Sequence, residues 1–232
     1  MKRALLVSAL LTLLLPLSAQ NIRTSGPTRL PFCPPKTCLY YAGDFDSANS
    51  AANYVYNATD ALVGLGQAWL AVKPTRDVTV TGVTFQEIFA VSMVGINPAP
   101  FQVYKGMTTG YQGTQVCNSK GHATMQPHGE SFLGLLQYSF TIERLKPACE
   151  LKKGIVYYLN LLPTYSDNSE AFLLDVEDHP APNHRGWPNV WDDSYYFGLL
   201  GDIDYFPTWG NNGVCASVGC DLFSFALTGR KH

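Results

Sequence analysis

The chain has 232 residues, with 16 Lys+Arg against 18 Asp+Glu and a formal charge of −2. A near-neutral, slightly acidic chain with no basic run is a poor electrostatic match to nucleic acid or anionic lipid. Charged residues make up only 15% and aromatics 12%, a composition able to fill a sizeable core.

Residues 1–19 read as a secretory leader: Lys2 and Arg3 precede the apolar run Ala4 to Leu15, and Ser18-Ala19 offers a cut ahead of Gln20. No later run approaches the roughly 18 apolar residues of a membrane helix, so no span is expected. An exported protein, extracellular or periplasmic, follows. Residues 20–38 are polar and Pro-rich and read as a surface arm, leaving 39–232 as a single β domain.

Six cysteines, Cys33, Cys38, Cys117, Cys149, Cys215 and Cys220, fit a disulfide framework behind a leader. The shared spacing of Cys33/Cys38 and Cys215/Cys220 suggests two short loops, with Cys117–Cys149 as the long-range bridge. The alternative use of the two short pairs is a four-cysteine zinc site, which an oxidising compartment disfavours.

Leu39-Tyr-Tyr-Ala42 reads as a first strand running into Gly43-Asp-Phe-Asp-Ser-Ala-Asn49. Asp44, Asp46, Asn49 and Asp60, with Asn53 between them, are hard oxygen donors at close spacing and a candidate Ca²⁺ cluster. The competing reading is Asp and Asn capping their own turns. Asn57-Ala-Thr59 is a glycosylation sequon by pattern. Strands are expected at Gln67–Val72 and Asp77–Phe85, where Val78 and Val80 alternate with Thr79 and Thr81 and Gly82 shifts the register or marks a bulge. Apolar character continues from Glu87 to Val94. Phe101–Tyr104 is another strand, followed by a Gly-rich segment, and residues 121–129, with His122 and His128, read as a loop.

Tyr138, Phe140 and Ile142 alternate with Ser139, Thr141 and Glu143, a strand with one face in a core. After Gly154, Val156, Tyr158 and Asn160 point one way and Tyr157, Leu159 and Leu161 the other. Ala171–Val176, Tyr195–Phe197 and Asp221–Leu227 complete about nine or ten strands, a number that suits an all-β, antiparallel, jelly-roll-like sandwich.

No Gly-x-Ser-x-Gly elbow, His-Glu-x-x-His, phosphate loop or dinucleotide fingerprint occurs. Asp175, Glu177, Asp178, His179 and His184 are close enough in sequence for metal or acid–base chemistry, set against a solvated, proline-stiffened loop. Trp187, Trp191, Tyr195 and Trp209 interleave with Asp192, Asp193, Asp202 and Asp204. Rings beside carboxylates can hold a sugar by its C–H face and hydroxyls, and the same rings can close a core.

The segments Tyr40-Tyr-Ala-Gly-Asp-Phe-Asp46, Asp60-Ala-Leu-Val63, Val78-Thr-Val-Thr-Gly-Val83, Phe101-Gln-Val-Tyr104 and Gly154-Ile-Val-Tyr-Tyr-Leu159 resemble a group of uncharacterised exported bacterial β-sandwich proteins. They are also similar to anchor-bearing extracellular sandwich domains, from which this chain departs by ending at Thr228-Gly-Arg-Lys-His232. The resemblance implies a fold and an exported location and no reaction. Three functions stay open: a binding module for a polysaccharide or surface protein, a structural matrix protein, and a glycan hydrolase using paired carboxylates.

Overall fold

The computed structural model describes residues 33–43, 52–55, 67–89, 98–108, 111–132, 135–160, 171–174, 184–188, 190, 195–197, 205–207 and 224–232. Residues 1–32, which include the expected leader and most of the expected arm, lie outside the described residues, as do Asp44, Asp46, Asn49 and Asp60. So do Asp175, Glu177, Asp178, His179, Trp191, Asp192, Asp193, Asp202, Asp204, Trp209, Cys215 and Cys220. Of Tyr195 only the backbone is described.

The described elements are all strands: β1 (Cys38–Tyr41), β2 (Ala52–Val55), β3 (Gln67–Val72), β4 (Val78–Phe89), β5 (Ala99–Lys105), β6 (Thr114–Phe132) and β7 (Leu135–Lys146). They continue with β8 (Cys149–Leu151), β9 (Tyr157–Asn160), β10 (Ala171–Leu174), β11 (Tyr195–Phe197), β12 (Tyr205–Pro207) and β13 (Phe225–Lys231). They join into one antiparallel sheet in the order β1-β13-β4-β7-β6-β5-β9-β3-β11-β12, with β8 and β10 also on β4 and β2 on β10. The sheet curls, because one core draws on strands from both ends of that path. Leu39 of β1 and Phe225 of β13 share it with Phe101 of β5, Leu159 of β9 and Leu70 of β3. The all-β, antiparallel expectation holds, in the form of a single curled sheet.

Strand β4 is the spine. It pairs with β13 along Val78–Phe85 and with β10 along Glu87–Phe89. Its other edge takes β8 along Val78–Val80 and β7 along Gly82–Phe89. The inward set changes parity at Gly82, from Val78 and Val80 to Val83 and Phe85, because Thr81 is an extra residue opposite the Thr228/Gly229 step of β13. The register does shift at this point, through a bulge at Thr81 that Gly82 adjoins.

The same level is irregular in the neighbouring strands. β7 and β8 behave as one strand along β4, interrupted between Glu143 and Cys149 by Arg144, at φ 56°, and the cis Lys146–Pro147 bond. Inward residues of β7 pass from Phe140 and Ile142 to Leu145. On β6 the register breaks between Lys120 and His122. Three glycines permit the close approach: a Cβ on Gly82 would lie 3.0 Å from the Ile142 carbonyl oxygen, one on Gly121 2.5 Å from that of Glu143, and one on Gly229 against Thr79. A crease thus runs across β13, β4, β7 and β6 and bends the sheet.

Residues 121–129, expected as a loop, belong instead to the 19-residue β6. Its inward positions Cys117, Ser119, Gly121, Ala123 and Met125 alternate with exposed Asn118, Lys120, His122, Thr124 and Gln126. The period is that of a strand, but the inward residues are too small to stand out as an apolar run. The last strand also runs past its expected end at Leu227, since Gly229–Lys231 pair with Val80–Val78.

Candidate functional site

The face of β3, β9, β5 and β6 that points away from the main core carries aromatic and amide side chains in register. Trp69 lies opposite Asn160, Asn160 opposite Gln102, and Gln102 opposite Asn118. In the next row Ala71 faces Tyr158, Tyr158 faces Tyr104, and Tyr104 faces Gln115. Directly opposed residues of an antiparallel ladder project to one side, so the two rows share one side of the sheet, where Trp69, Ala71, Tyr104, Tyr158 and Asn160 are buried and Gln102, Gln115 and Asn118 reach solvent. Local sequence explains the split. In Phe101-Gln-Val-Tyr104 the odd positions enter the core, and in Tyr157-Tyr-Leu-Asn160 Tyr157 and Leu159 do so, as their alternation requires.

Trp69, Ala71, Tyr104, Met107 and Tyr158 form a second apolar cluster on this outer face. The rings of Trp69 and Tyr104 meet edge to face, with centroids 4.6 Å apart at 80°. The Gln115 amide donates to the Tyr104 hydroxyl at 3.1 Å, and that hydroxyl donates to Gln102 Oε1 at 3.4 Å. Burial raises the Tyr104 phenol above its ordinary range and keeps it a neutral donor. Gln102 is half-buried and Gln115 and Asn118 are exposed. In the connection between β5 and β6 Tyr111, bridged to Thr108, keeps 55% of its surface in solvent. The site therefore has packed, buried rings beneath and amides able to donate and accept at the surface, with an exposed ring in the adjoining β5–β6 connection. Such groups can stack and hydrogen-bond an uncharged, hydroxyl-rich ligand.

The expected aromatic–acidic site is described only in part. Trp187 is buried, stacked on Tyr40 with centroids 5.6 Å apart at 28°, and Tyr40 in turn meets Phe225. His184 packs edge-on to Tyr40, and its Nε2 lies 2.8 Å from the Trp187 carbonyl oxygen, so this imidazole helps close the core. Arg185 continues the segment as an antiparallel bridge to Tyr41, with Tyr41 N–H to Arg185 O at 2.9 Å and the reverse bond at 3.0 Å.

The zinc reading of the short cysteine pairs is overturned, because Cys33 and Cys38 are joined to each other. Cys117–Cys149 is the long-range bridge, linking β6 to β8. Ser119 Oγ lies beside the bridge, 3.2 Å from each sulfur, and donates to the Pro147 carbonyl. Two intramolecular disulfides fit an oxidising compartment. Among the described residues no group of three His, Cys, Asp or Glu side chains could hold a metal, and no helix is long and apolar enough to cross a membrane.

Two surface clefts lie elsewhere among the described residues. One, of about 220 Å³, is lined by Asp77, Val78, Glu150, Lys152 and His232, and its cation is already paired, Lys152 Nζ lying 3.1 Å from Asp77 Oδ2. The other, of about 210 Å³, is lined by Pro35, Cys38, Leu39, Arg185, Gly186 and Lys231.

The sequence already placed Tyr158 and Asn160 on one side of their strand. It did not show that Trp69, Gln102, Tyr104 and Asn118 join them, because that depends on pairing between strands distant in the chain. Compared with known proteins, the chain matches no family model, no curated protein and no solved structure.

Proposed function

We propose that this is an exported, non-catalytic binding module for an uncharged glycan, held on the outer face of β3, β9, β5 and β6. The observation that carries the reading is the register that sets the amides of Gln102, Gln115 and Asn118 at the surface over the buried rings of Trp69, Tyr104 and Tyr158. Sugars present apolar C–H faces and hydroxyls that both donate and accept; the neutral amides answer the hydroxyls, and Tyr111 of the β5–β6 connection is the exposed ring that can answer the C–H face. No carboxylate lies among these side chains, so a proton-transfer role is not what they offer. The secretory leader, the disulfides and the resemblance to exported bacterial sandwich domains support an extracellular or periplasmic location and a jelly-roll-like closure of the sheet.

The test is depletion of residues 20–232 from solution by a panel of insoluble neutral polysaccharides. Retention on one polymer is expected. Gln102→Ala, Asn118→Ala and Tyr111→Ala should each weaken it about tenfold, the equivalent of ~1.4 kcal/mol, with the melting temperature little changed. Retention untouched by all three changes would move the site elsewhere, and no retention on any polymer would sink the reading. A chelator arm separately tests a Ca²⁺ cluster at Asp44, Asp46, Asn49 and Asp60.

A further inference from the structure

The two described disulfides differ in the access they give to one of their sulfurs. Cys117–Cys149 is sealed: Cys149 is fully buried, Cys117 nearly so, and Ser119 fills the space beside both sulfurs. Cys33–Cys38 closes the exposed turn Pro34–Thr37, held by bonds from Thr37 and Cys38 N–H to the Pro34 carbonyl, and Cys33 is only half-buried.

Its two sulfurs also differ. Cys33 Sγ lies 3.5 Å from the Tyr40 carbonyl oxygen and 3.9 Å from that of Leu227, an electronegative setting that disfavours a thiolate. Cys38 is buried, packed with Tyr41 and Ala226, and borders the cleft that bears Arg185 and Lys231 and has no carboxylate in its wall. Among the described residues neither cation has an ion pair, in contrast to Lys152 in the other cleft. The Arg185 backbone is fixed there by its bridge to Tyr41, with its side chain exposed, and Gly186, at φ 107°, lets the chain lie against the Leu39 carbonyl. Nearby cations lower a thiol's pKa and make it the better leaving group in exchange.

We infer that Cys33–Cys38 is a thiol–disulfide exchange site, attacked at Cys33, with Cys38 as the leaving thiolate beside Arg185 and Lys231. The co-reactant is a low-molecular-weight aliphatic thiol. Its thiolate attacks Cys33 Sγ, a new S–S bond forms, the Cys33–Cys38 bond breaks, and the electron pair leaves on Cys38. One mixed disulfide and one thiolate replace one thiolate and one disulfide, with no net oxidation. Attack by Cys38 on the mixed disulfide reverses the step.

The test exposes the folded, oxidised protein to excess reduced glutathione, quenches with acid and N-ethylmaleimide, and maps each cysteine peptide by mass spectrometry, reading Cys215 and Cys220 separately. Glutathione on Cys33 and maleimide on Cys38, with Cys117–Cys149 intact, is the expected result. The double variant Arg185→Gln/Lys231→Gln should slow exchange roughly threefold or more, while Lys152→Gln leaves the rate unchanged. Both changes are at exposed side chains, and an unaltered melting temperature confirms the fold. Glutathione on Cys38, equal rates in the double variant, or no exchange until both bridges open together would each overturn the assignment.

Discussion

Asp77 illustrates how far one exposed carboxylate is committed. Its Oδ1 accepts the Lys153 N–H at 2.9 Å and its Oδ2 accepts Lys152 Nζ at 3.1 Å. These bonds, the backbone one foremost, hold its pKa below the ordinary carboxylate value, and the same contact raises that of Lys152. A depressed folded-state pKa contributes stability above the unfolded carboxylate's value, and that contribution disappears as pH falls through the folded one. Asp77→Asn should therefore melt lower than the parent at neutral pH, and the gap should close below about pH 4. Thermal melts of both proteins across that range check it, and a gap independent of pH would assign the loss to packing instead. Tyr40 has the opposite character, since burial pushes its phenol far above the ordinary range and keeps it neutral in the core.

Among the elements, the crease is the most exacting. A Cβ on Gly121 would meet the Glu143 carbonyl at 2.5 Å and Ile142 Cγ2 at 2.6 Å, both fixed within the β6–β7 ladder. Gly121→Ala should cost about 1–3 kcal/mol through overpacking, whereas Gly154→Ala, where nothing lies within 4 Å, should cost only the strain of its φ of 77°. Urea titrations distinguish them, and equal losses would show that the crease is not tight. Part of this was legible in the sequence: Gly82 interrupts the Val/Thr alternation of β4, and Phe140, Ile142, Tyr157 and Leu159 point inward as their period requires. Strand β6 was not, because Cys117, Ser119, Gly121 and Ala123 are small and their alternation is visible only once the partner strands are known. The candidate site stayed hidden for a related reason. A strand's own period fixes which side Gln102 and Tyr104 take, but only long-range register makes Trp69, Asn160 and Asn118 their neighbours.

For the molecule as a whole, the described strands share one sheet and one main core, and the two disulfides fasten it at different lengths. Cys117–Cys149 spans 32 residues and Cys33–Cys38 only five. In the chain-entropy picture, losing the first should cost about 3–4 kcal/mol and losing the second about 2 kcal/mol. Paired Ser substitutions followed by denaturant unfolding test that ranking. A larger loss from Cys33/Cys38 would mean that the short turn anchors β1 by more than its own closure.

The position of β4 bears on how quickly the chain reaches this state. None of its partners, β7, β8, β10 and β13, adjoins it in sequence, and β3 and β5, which do, pair elsewhere. It cannot zip up as a hairpin from a local turn. Each ladder it makes must first close a long stretch of chain, the condition under which β proteins fold in milliseconds to seconds rather than microseconds. Through that interval the apolar side chains of Val78, Val83 and Phe85 stay uncovered, so the yield of folded protein should fall as the chain concentration during refolding rises.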